Sequence, residues 1–196
     1  MEQASKSGSG KYNARYLLCD CSGQSELEAA DTEVVCSPVQ CLHRAVDGTP
    51  GIIAIRFGES LIREREALVE LCGVLKRNSH TREIMVVALL YSKHRIVVES
   101  LKRAGVDYVK LIGNTAVTSI CLREIIDALG SGDRIERELE RLCPYLHYSP
   151  VDAHRELTVC GGYLDRMVLG GSWLHEVCET EDHLRCEYFL NPRIKK

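Results

Sequence analysis

Apolar residues in the first two thirds of the chain fall into two patterns, short continuous runs and runs at helical spacing. The continuous runs predict five β-strands, at residues 16–19, 33–36, 51–57, 84–90 and 106–111. Polar residues do not alternate with apolar ones inside these runs, which is typical of strands that are covered on both faces. We therefore expect a parallel sheet between layers of helices.

Segments with helical spacing separate the predicted strands. They predict helices through Leu27 and Ala30, from Ser37-Pro38 onward, over residues 59–77, 94–104 and 115–129, and through Ile135, Leu139 and Leu142. Ser37 is a capping residue followed by a first-turn proline, and Gly105 favours a helix C-cap. Asp133 and Glu136 have the spacing of a capping box. The alternation predicts an α/β fold with a doubly wound five-stranded parallel sheet.

Length, composition and charge narrow the class of protein. A chain of 196 residues with 45% hydrophobic content can fill one domain core and leave a small extra module. The net charge is −3, and residues 143–196 carry 6 basic against 8 acidic side chains, so neither part has the basic excess that nucleic-acid binding needs. The apolar runs are too short to span a membrane, and the polar start at residues 1–13 predicts a flexible tail rather than a signal peptide. We expect a cytoplasmic protein that binds neither nucleic acid nor membrane.

Four of the ten cysteines stand near the end of the chain, at Cys143, Cys160, Cys178 and Cys186. Because disulfides are unfavoured in a reducing compartment, cysteines there more often serve a metal site, a redox centre or a core. Four thiolates from separate elements suit a closed site for zinc or an iron-sulfur cluster, and their wide spacing slightly favours the cluster. The competing interpretation is four unconnected core residues.

The remaining cysteines and the histidines of this segment suggest less specific roles. His175 and His183 each precede a cysteine by three residues, so on helical turns they could replace a thiol or support one through a hydrogen bond. Cys19, Cys21, Cys36 and Cys41 could form a second thiol site, but their apolar surroundings favour core positions. Cys72 and Cys121 fall on apolar helix stripes and are also predicted to be core residues.

Residues 99–110 contain an Ala104-Gly105 pair, an Asp107-Tyr108 pair and Lys110, in that order. This segment resembles the fourth helix and fifth strand of response-regulator receiver domains, and the likeness extends over residues 14–130. The resemblance implies a signalling domain of two-component systems. In that family an Asp at the end of the third strand accepts a phosphoryl group, with Mg²⁺ held by acidic residues after the first strand.

The chain departs from the receiver pattern at the acceptor position. Arg56 falls on or beside it, so the resemblance implies a pseudo-receiver without a phosphoacceptor, in which Asp20 and Lys110 are remnants of the site. Arg56 could form an internal ion pair with Asp20, or the site could simply have drifted.

Residues 133–196 are predicted to form a linker helix and a cysteine-rich region. Its Cys-Pro start and Cys-Glu-Tyr end resemble cysteine-bearing modules attached to bacterial signalling domains, a likeness that carries no settled function. The sequence therefore predicts a non-catalytic regulatory protein that has a protein partner and a four-cysteine module that senses or stabilises. The alternative is a small redox or metal-dependent enzyme that uses these C-terminal cysteines.

Overall fold

A computed structural model of the protein describes residues 15–23, 25, 30–58 and 62–194. Within these residues the first part of the chain contains the strands β1 (Tyr16–Cys19), β2 (Thr32–Val35), β3 (Ile52–Phe57), β4 (Met85–Leu90) and β5 (Tyr108–Leu111). The helices are α1 (Pro38–Gly48), α2 (Ile62–Arg77), α3 (Arg95–Ala104), α4 (Ser119–Asp127) and α5 (Ile135–Arg141). The predicted helix through Leu27 and Ala30 falls on residues 26–29, which lie outside the described part.

The five strands form one all-parallel sheet in the order β2-β1-β3-β4-β5. The predicted α/β class and five-stranded parallel sheet are therefore confirmed, and the order is consistent with a flavodoxin-like fold. Parallel neighbours need crossover connections, which explains why a helix separates most successive strands. In a sheet of this kind all strand carboxyl ends meet at one edge, where Asp20 follows β1.

Two apolar cores fill the two faces of the sheet. Helices α1, α2, α3 and α5 pack on one face, and α4 packs on the other. The linker helix α5 belongs to the first core, because Ile135 and Leu142 are almost fully buried among residues of the sheet and of the neighbouring helices. Leu142 immediately precedes Cys143, so the packing of α5 fixes where the cysteine-rich part of the chain begins.

The helix ends confirm two predicted caps and correct a third. Ser37 accepts a hydrogen bond from the Gln40 amide, and Gly105 ends α3 with a φ of 84°. The capping box at Asp133 is wrong: α5 begins at Ile135, and the Asp133 carboxylate instead accepts the Gly130 amide at 3.0 Å. The other carboxylate oxygen of Asp133 accepts a hydrogen bond from Lys110 of β5 at 2.8 Å, so both oxygens have partners outside α5.

The C-terminal region, residues 143–194, forms a small antiparallel sheet followed by short helical turns. Its described strands are β6 (Leu146–Pro150), β7 (Glu156–Cys160) and β8 (Met167–Val168), in the order β6-β7-β8. A π-helical segment (Trp173–Cys178), a 3-10 segment (Glu181–Arg185) and α6 (Glu187–Leu190) follow. None of the helices in the described residues is long and apolar enough to cross a membrane.

Candidate functional site

The carboxyl edge of the large sheet holds a buried ion pair. Asp20 follows β1, Arg56 is the penultimate residue of β3, and β1 and β3 are neighbours in the sheet. Arg56 Nη1 donates to Asp20 Oδ2 at 3.0 Å, and the two side chains are 3% and 1% exposed. The internal ion pair, one of the two outcomes the sequence left open for Arg56, is thus present.

A set of hydrogen bonds keeps the Asp20 carboxylate ionised. Burial alone would raise its pKa, but donors from Ser22, Ser25 and Arg56 outweigh burial and leave the pKa below its ordinary value. The Ser22 hydroxyl and amide donate to Oδ1 at 2.6 and 2.9 Å, and the Ser25 hydroxyl donates to Oδ2. Arg56 also donates to the Thr115 carbonyl at 3.2 Å, so it ties the end of β3 to the loop before α4.

Lys110 does not join this pair. Its ammonium lies 2.8 Å from the Asp133 carboxylate, and Asp133 has a lowered pKa because this contact and the Gly130 amide outweigh the effect of burial. Arg56 and Lys110 lie in one row of the sheet, two strands apart, which corresponds to about 10 Å between backbones. The structure thus brings Asp20 and Arg56 together, whereas Lys110 pairs with Asp133 in the segment that leads to α5.

The four C-terminal cysteines converge. Cys143, Cys160 and Cys178 are buried in one apolar cluster with Leu146 and Leu169. The half-buried Cys186 completes the group, because its thiol and those of Cys143 and Cys160 all act electrostatically on Cys178. Cys143 lies three residues before β6, Cys160 ends β7, Cys178 ends the π-helical segment and Cys186 follows the 3-10 segment, so these residues come from separate elements.

Backbone amides lie near two of these thiols. Burial raises the pKa of Cys143 and Cys160, and the amides of Tyr145 at Cys143 and of Gly162 and Tyr163 at Cys160 oppose that effect. The Tyr163 amide itself donates to the Cys160 carbonyl oxygen at 3.2 Å. A side chain at position 162 is excluded because its Cβ would meet the Tyr188 carbonyl oxygen at 2.7 Å. Amides aimed at cysteine sulfur stabilise a thiolate, and such bonds tune metal–thiolate centres.

The thiols of Cys143, Cys160 and Cys178 are nevertheless protonated near neutral pH, because their pKa values are raised. Burial is the main cause that raises the pKa of Cys143 and Cys160, and it raises the pKa of Cys178 to about 12. Over residues 15–194, as far as they are described, no set of three or more His, Cys, Asp or Glu side chains is arranged to hold a metal ion. The donors suit a soft cation, but binding one requires the thiols to lose their protons and to close on it.

The histidines of this region have partners other than the thiols. His183 is 3% exposed, its Nδ1 lies 2.6 Å from the Thr180 carbonyl oxygen, and its ring meets Phe189 edge-on. His175 is exposed and its Nδ1 lies 2.9 Å from Glu179. None of these contacts involves a sulfur atom, so they do not support the possibility that His175 or His183 replaces or orients a thiol.

The remaining cysteines divide between core and surface. Cys19, Cys41 and Cys72 lie in the first core, as predicted, and the side chains of Cys19 and Cys41 are hydrogen-bonded to each other. Cys21 and Cys36 are exposed, and Cys121 is only half-buried, so the prediction that these three are core residues is wrong. Cys21 and Cys36 follow the ends of β1 and β2, where the chain leaves the covered part of the sheet.

A loop between β4 and α3 connects the sheet to the cysteine region. Lys93 donates to the Glu179 carbonyl at 3.1 Å, next to Cys178, and Arg95 donates to the Leu142 carbonyl at 2.6 Å, next to Cys143. The Arg95 amide also donates to the Tyr148 hydroxyl at 2.9 Å. This loop therefore holds the backbone beside two of the four thiols.

His94, between these two residues, contacts the small sheet. Its ring stacks on Tyr148 with centroids 3.6 Å apart, and its Nε2 lies 3.0 Å from Glu156, which also pairs with Arg65 at 2.8 Å. Sequence reasoning missed this junction. The sequence does contain a signal for it. Lys93-His94-Arg95 places basic side chains at a helix N-terminus, where the helix dipole disfavours cations. Such side chains indicate that another element supplies acceptors for them.

Comparison with known proteins does not assign this chain to a family. No family model matches the chain, and no curated protein is similar to it. The likeness to flavodoxin-like proteins therefore depends on sheet order and strand direction alone. The fold does not by itself specify a function, which has to be argued from the sites.

Proposed function

We propose that this protein is a non-catalytic signalling component, a pseudo-receiver domain that carries a four-cysteine metal module. The observation that carries the proposal is the Asp20–Arg56 pair at the carboxyl edge of the sheet. A receiver needs a carboxylate there to take a phosphoryl group and a second carboxylate free to hold Mg²⁺. A guanidinium remains protonated and cannot accept a phosphoryl group, and its charge neutralises Asp20 and disfavours a metal cation beside it.

The metal-binding part of the proposal is supported by the four converging thiols. Cys143, Cys160 and Cys178 lie in one cluster, Cys186 acts electrostatically on Cys178, and backbone amides near Cys143 and Cys160 favour the thiolate form. Zinc would act as a structural staple, whereas an iron-sulfur cluster would also respond to redox state or oxygen. We favour the cluster slightly because the thiols come from dispersed single positions. The raised pKa values oppose the enzyme alternative, since a buried protonated thiol is a poor nucleophile.

The loop between β4 and α3 provides a physical path from the module to the receiver-like domain. Lys93 and Arg95 hold carbonyl groups adjacent to Cys178 and Cys143, so a change in the positions of the thiols would act on both contacts. Arg95 begins α3, whose buried face belongs to the first core. We propose that the state of the module is passed to a partner protein through this helix.

Metal analysis of protein purified without oxygen tests the proposed module. We expect one metal site per chain in the wild type and its loss in Cys178→Ser, with visible absorption if the site is an iron-sulfur cluster. Cys121→Ser, which changes a half-buried thiol outside the cluster, is the matched control and should keep the metal. A metal-free wild type that is fully folded would contradict this part of the proposal.

The pseudo-receiver part has a separate test. Incubation with a small phosphodonor and Mg²⁺, followed by intact mass measurement, should give no phosphate adduct. An intact mass that stays unchanged under conditions that phosphorylate an active receiver supports the proposal. An aspartyl phosphate on this chain would contradict it.

A further inference from the structure

A cleft of about 300 Å³ lies between α2 and α3 and is closed at its base by β6 and β7. Apolar side chains form its walls: Ile62, Val69, Ile96 and Val97. The volume corresponds to about ten water molecules at ~30 Å³ each, and it lies at the lower end of the range for ligand pockets. The cleft has room for a small organic molecule.

The polar groups at the base of the cleft are already paired with one another. Glu156 accepts from Arg65 at 2.8 Å and contacts His94 at 3.0 Å. Burial lowers the pKa of His94, so its ring is neutral near pH 7. Burial alone would raise the pKa of Glu156, but Arg65 and His94 outweigh it, so the carboxylate is ionised and balanced by Arg65. The base therefore favours neither an anion nor a cation.

Two carboxylates, those of Glu66 and Glu70, line the rim of the cleft from α2, and across it the Arg103 guanidinium donates to the Ser100 hydroxyl of α3 at 3.0 Å. Glu70 pairs with Arg77 at 2.9 Å, whereas Glu66 has no hydrogen-bond or ion-pair partner among the described residues. Ile96, 46% exposed on α3, also lines this cleft. An unpaired carboxylate beside an apolar wall is complementary to a cationic head on an apolar body.

We propose that this cleft binds a small organic monocation with an apolar body, of the arylalkylamine type. The ammonium group contacts Glu66, and the body packs between Val69 and Ile96. An organic anion of the same shape would be repelled by Glu66, and a neutral analogue would gain only burial. Tyr148 and Glu156 at the base belong to the C-terminal region, so the ligand contacts both parts of the chain. This site does not depend on a metal and goes beyond the proposed function.

A probe series on the full chain tests the charge preference. Phenethylamine, phenylethanol and phenylpropionate are titrated while backbone amide NMR shifts are recorded. We expect phenethylamine to bind at least about tenfold more tightly than the other two, with shifts in α2, α3, β6 and β7. Equal binding of all three probes, or no saturable shift at these elements, would overturn the proposal.

Three variants distinguish binding in the cleft from nonspecific attraction of the probe to acidic surface residues. Glu66→Gln should weaken phenethylamine binding about tenfold. Glu124→Gln, the matched change at an exposed position of α4, should leave the binding unchanged. Ile96→Trp fills the mouth without adding charge and should also abolish binding. If Glu66→Gln and Glu124→Gln behave alike, or if Ile96→Trp binds as well as the wild type, the cleft is not the site.

Discussion

Asp20 and Arg56 form the buried ion pair on which the pseudo-receiver proposal rests. Both are almost completely buried, and a buried charge is tolerated only when it is paired and hydrogen-bonded. An arginine inside an otherwise apolar strand was visible in the sequence, and its partner was suggested by the resemblance to receivers. The serine hydroxyls that complete the site could not be foreseen, because Ser22 and Ser25 reach Asp20 through the local shape of the loop.

Arg56→Met should be strongly destabilising. It leaves the Asp20 carboxylate buried without its cation, which typically costs about 3–5 kcal/mol. Arg44→Met is the matched control, because Arg44 pairs with Glu33 at 2.9 Å on the surface and such pairs contribute up to about 1 kcal/mol. Urea denaturation of both variants measures the difference. Equal free energies of unfolding would mean that the buried pair does not stabilise the sheet edge.

The Asp20 carboxylate should also make the free energy of unfolding depend on pH in the acid range. Its pKa is lowered in the folded state, so its contribution is fully present above the ordinary value of about 3.9 and is lost as the pH falls through the folded value. We expect the free energy of unfolding of the wild type to fall more steeply below about pH 4 than that of Asp20→Asn. Parallel curves for the two proteins between pH 3 and 6 would show that Asp20 does not titrate with folding.

Gly162 is the residue on which the Cys160 loop depends. Gly162→Ala places a methyl group against the Tyr188 carbonyl oxygen and should cost about 1–3 kcal/mol, with loss of any bound metal. Gly170→Ala is the control, since its Cβ would meet nothing within 4 Å. Thermal unfolding and metal content of the two variants give the comparison. A normal Gly162→Ala protein would show that the loop can rearrange without its amide bonds.

At the scale of elements, strands and caps followed from local patterns, whereas contacts between elements did not. The five strands and the cap at Gly105 are set by short apolar runs and by one residue's conformational preference. The capping box predicted at Asp133 does not form, and its carboxylate instead accepts from Lys110, 23 positions away, and from the Gly130 amide. The sequence pattern assigns no element or role to Tyr148 or Glu156, and only the fold places them against His94.

Lys93 should act as a connector between α3 and the thiol region. Lys93→Met removes its hydrogen bond to the Glu179 carbonyl and its ion pair with Glu138 at 3.3 Å, and it should speed hydrogen exchange around residues 174–186. The same substitution at the exposed Lys102 of α3 is the control and should change little. Equal exchange rates in the two variants would mean that the loop between β4 and α3 does not couple the thiol region to α3.

For the whole molecule, the unequal sizes of the two parts decide what each needs in order to fold. The parallel sheet has two cores, and the linker helix α5 packs into one of them. Among its described residues the C-terminal region has one small cluster, in which three of the five buried residues are cysteines and partly buried aromatic side chains pack around them. A region of this size rarely stabilises itself without a staple. The sequence predicts this asymmetry from the cysteine positions, and the fold places Cys143, Cys160 and Cys178 in one cluster.

Hydrogen exchange on the Cys178→Ser, Cys186→Ser double variant tests the central claim most directly. Serine keeps the approximate volume but stays protonated, so the change removes two anionic donors. We predict fast exchange confined to residues 143–194, while α5 and the parallel sheet keep their protection, and no such change in the Cys36→Ser, Cys121→Ser control. Protection in residues 143–194 equal to that of the wild type would contradict the account, because the four cysteines would then be ordinary core residues.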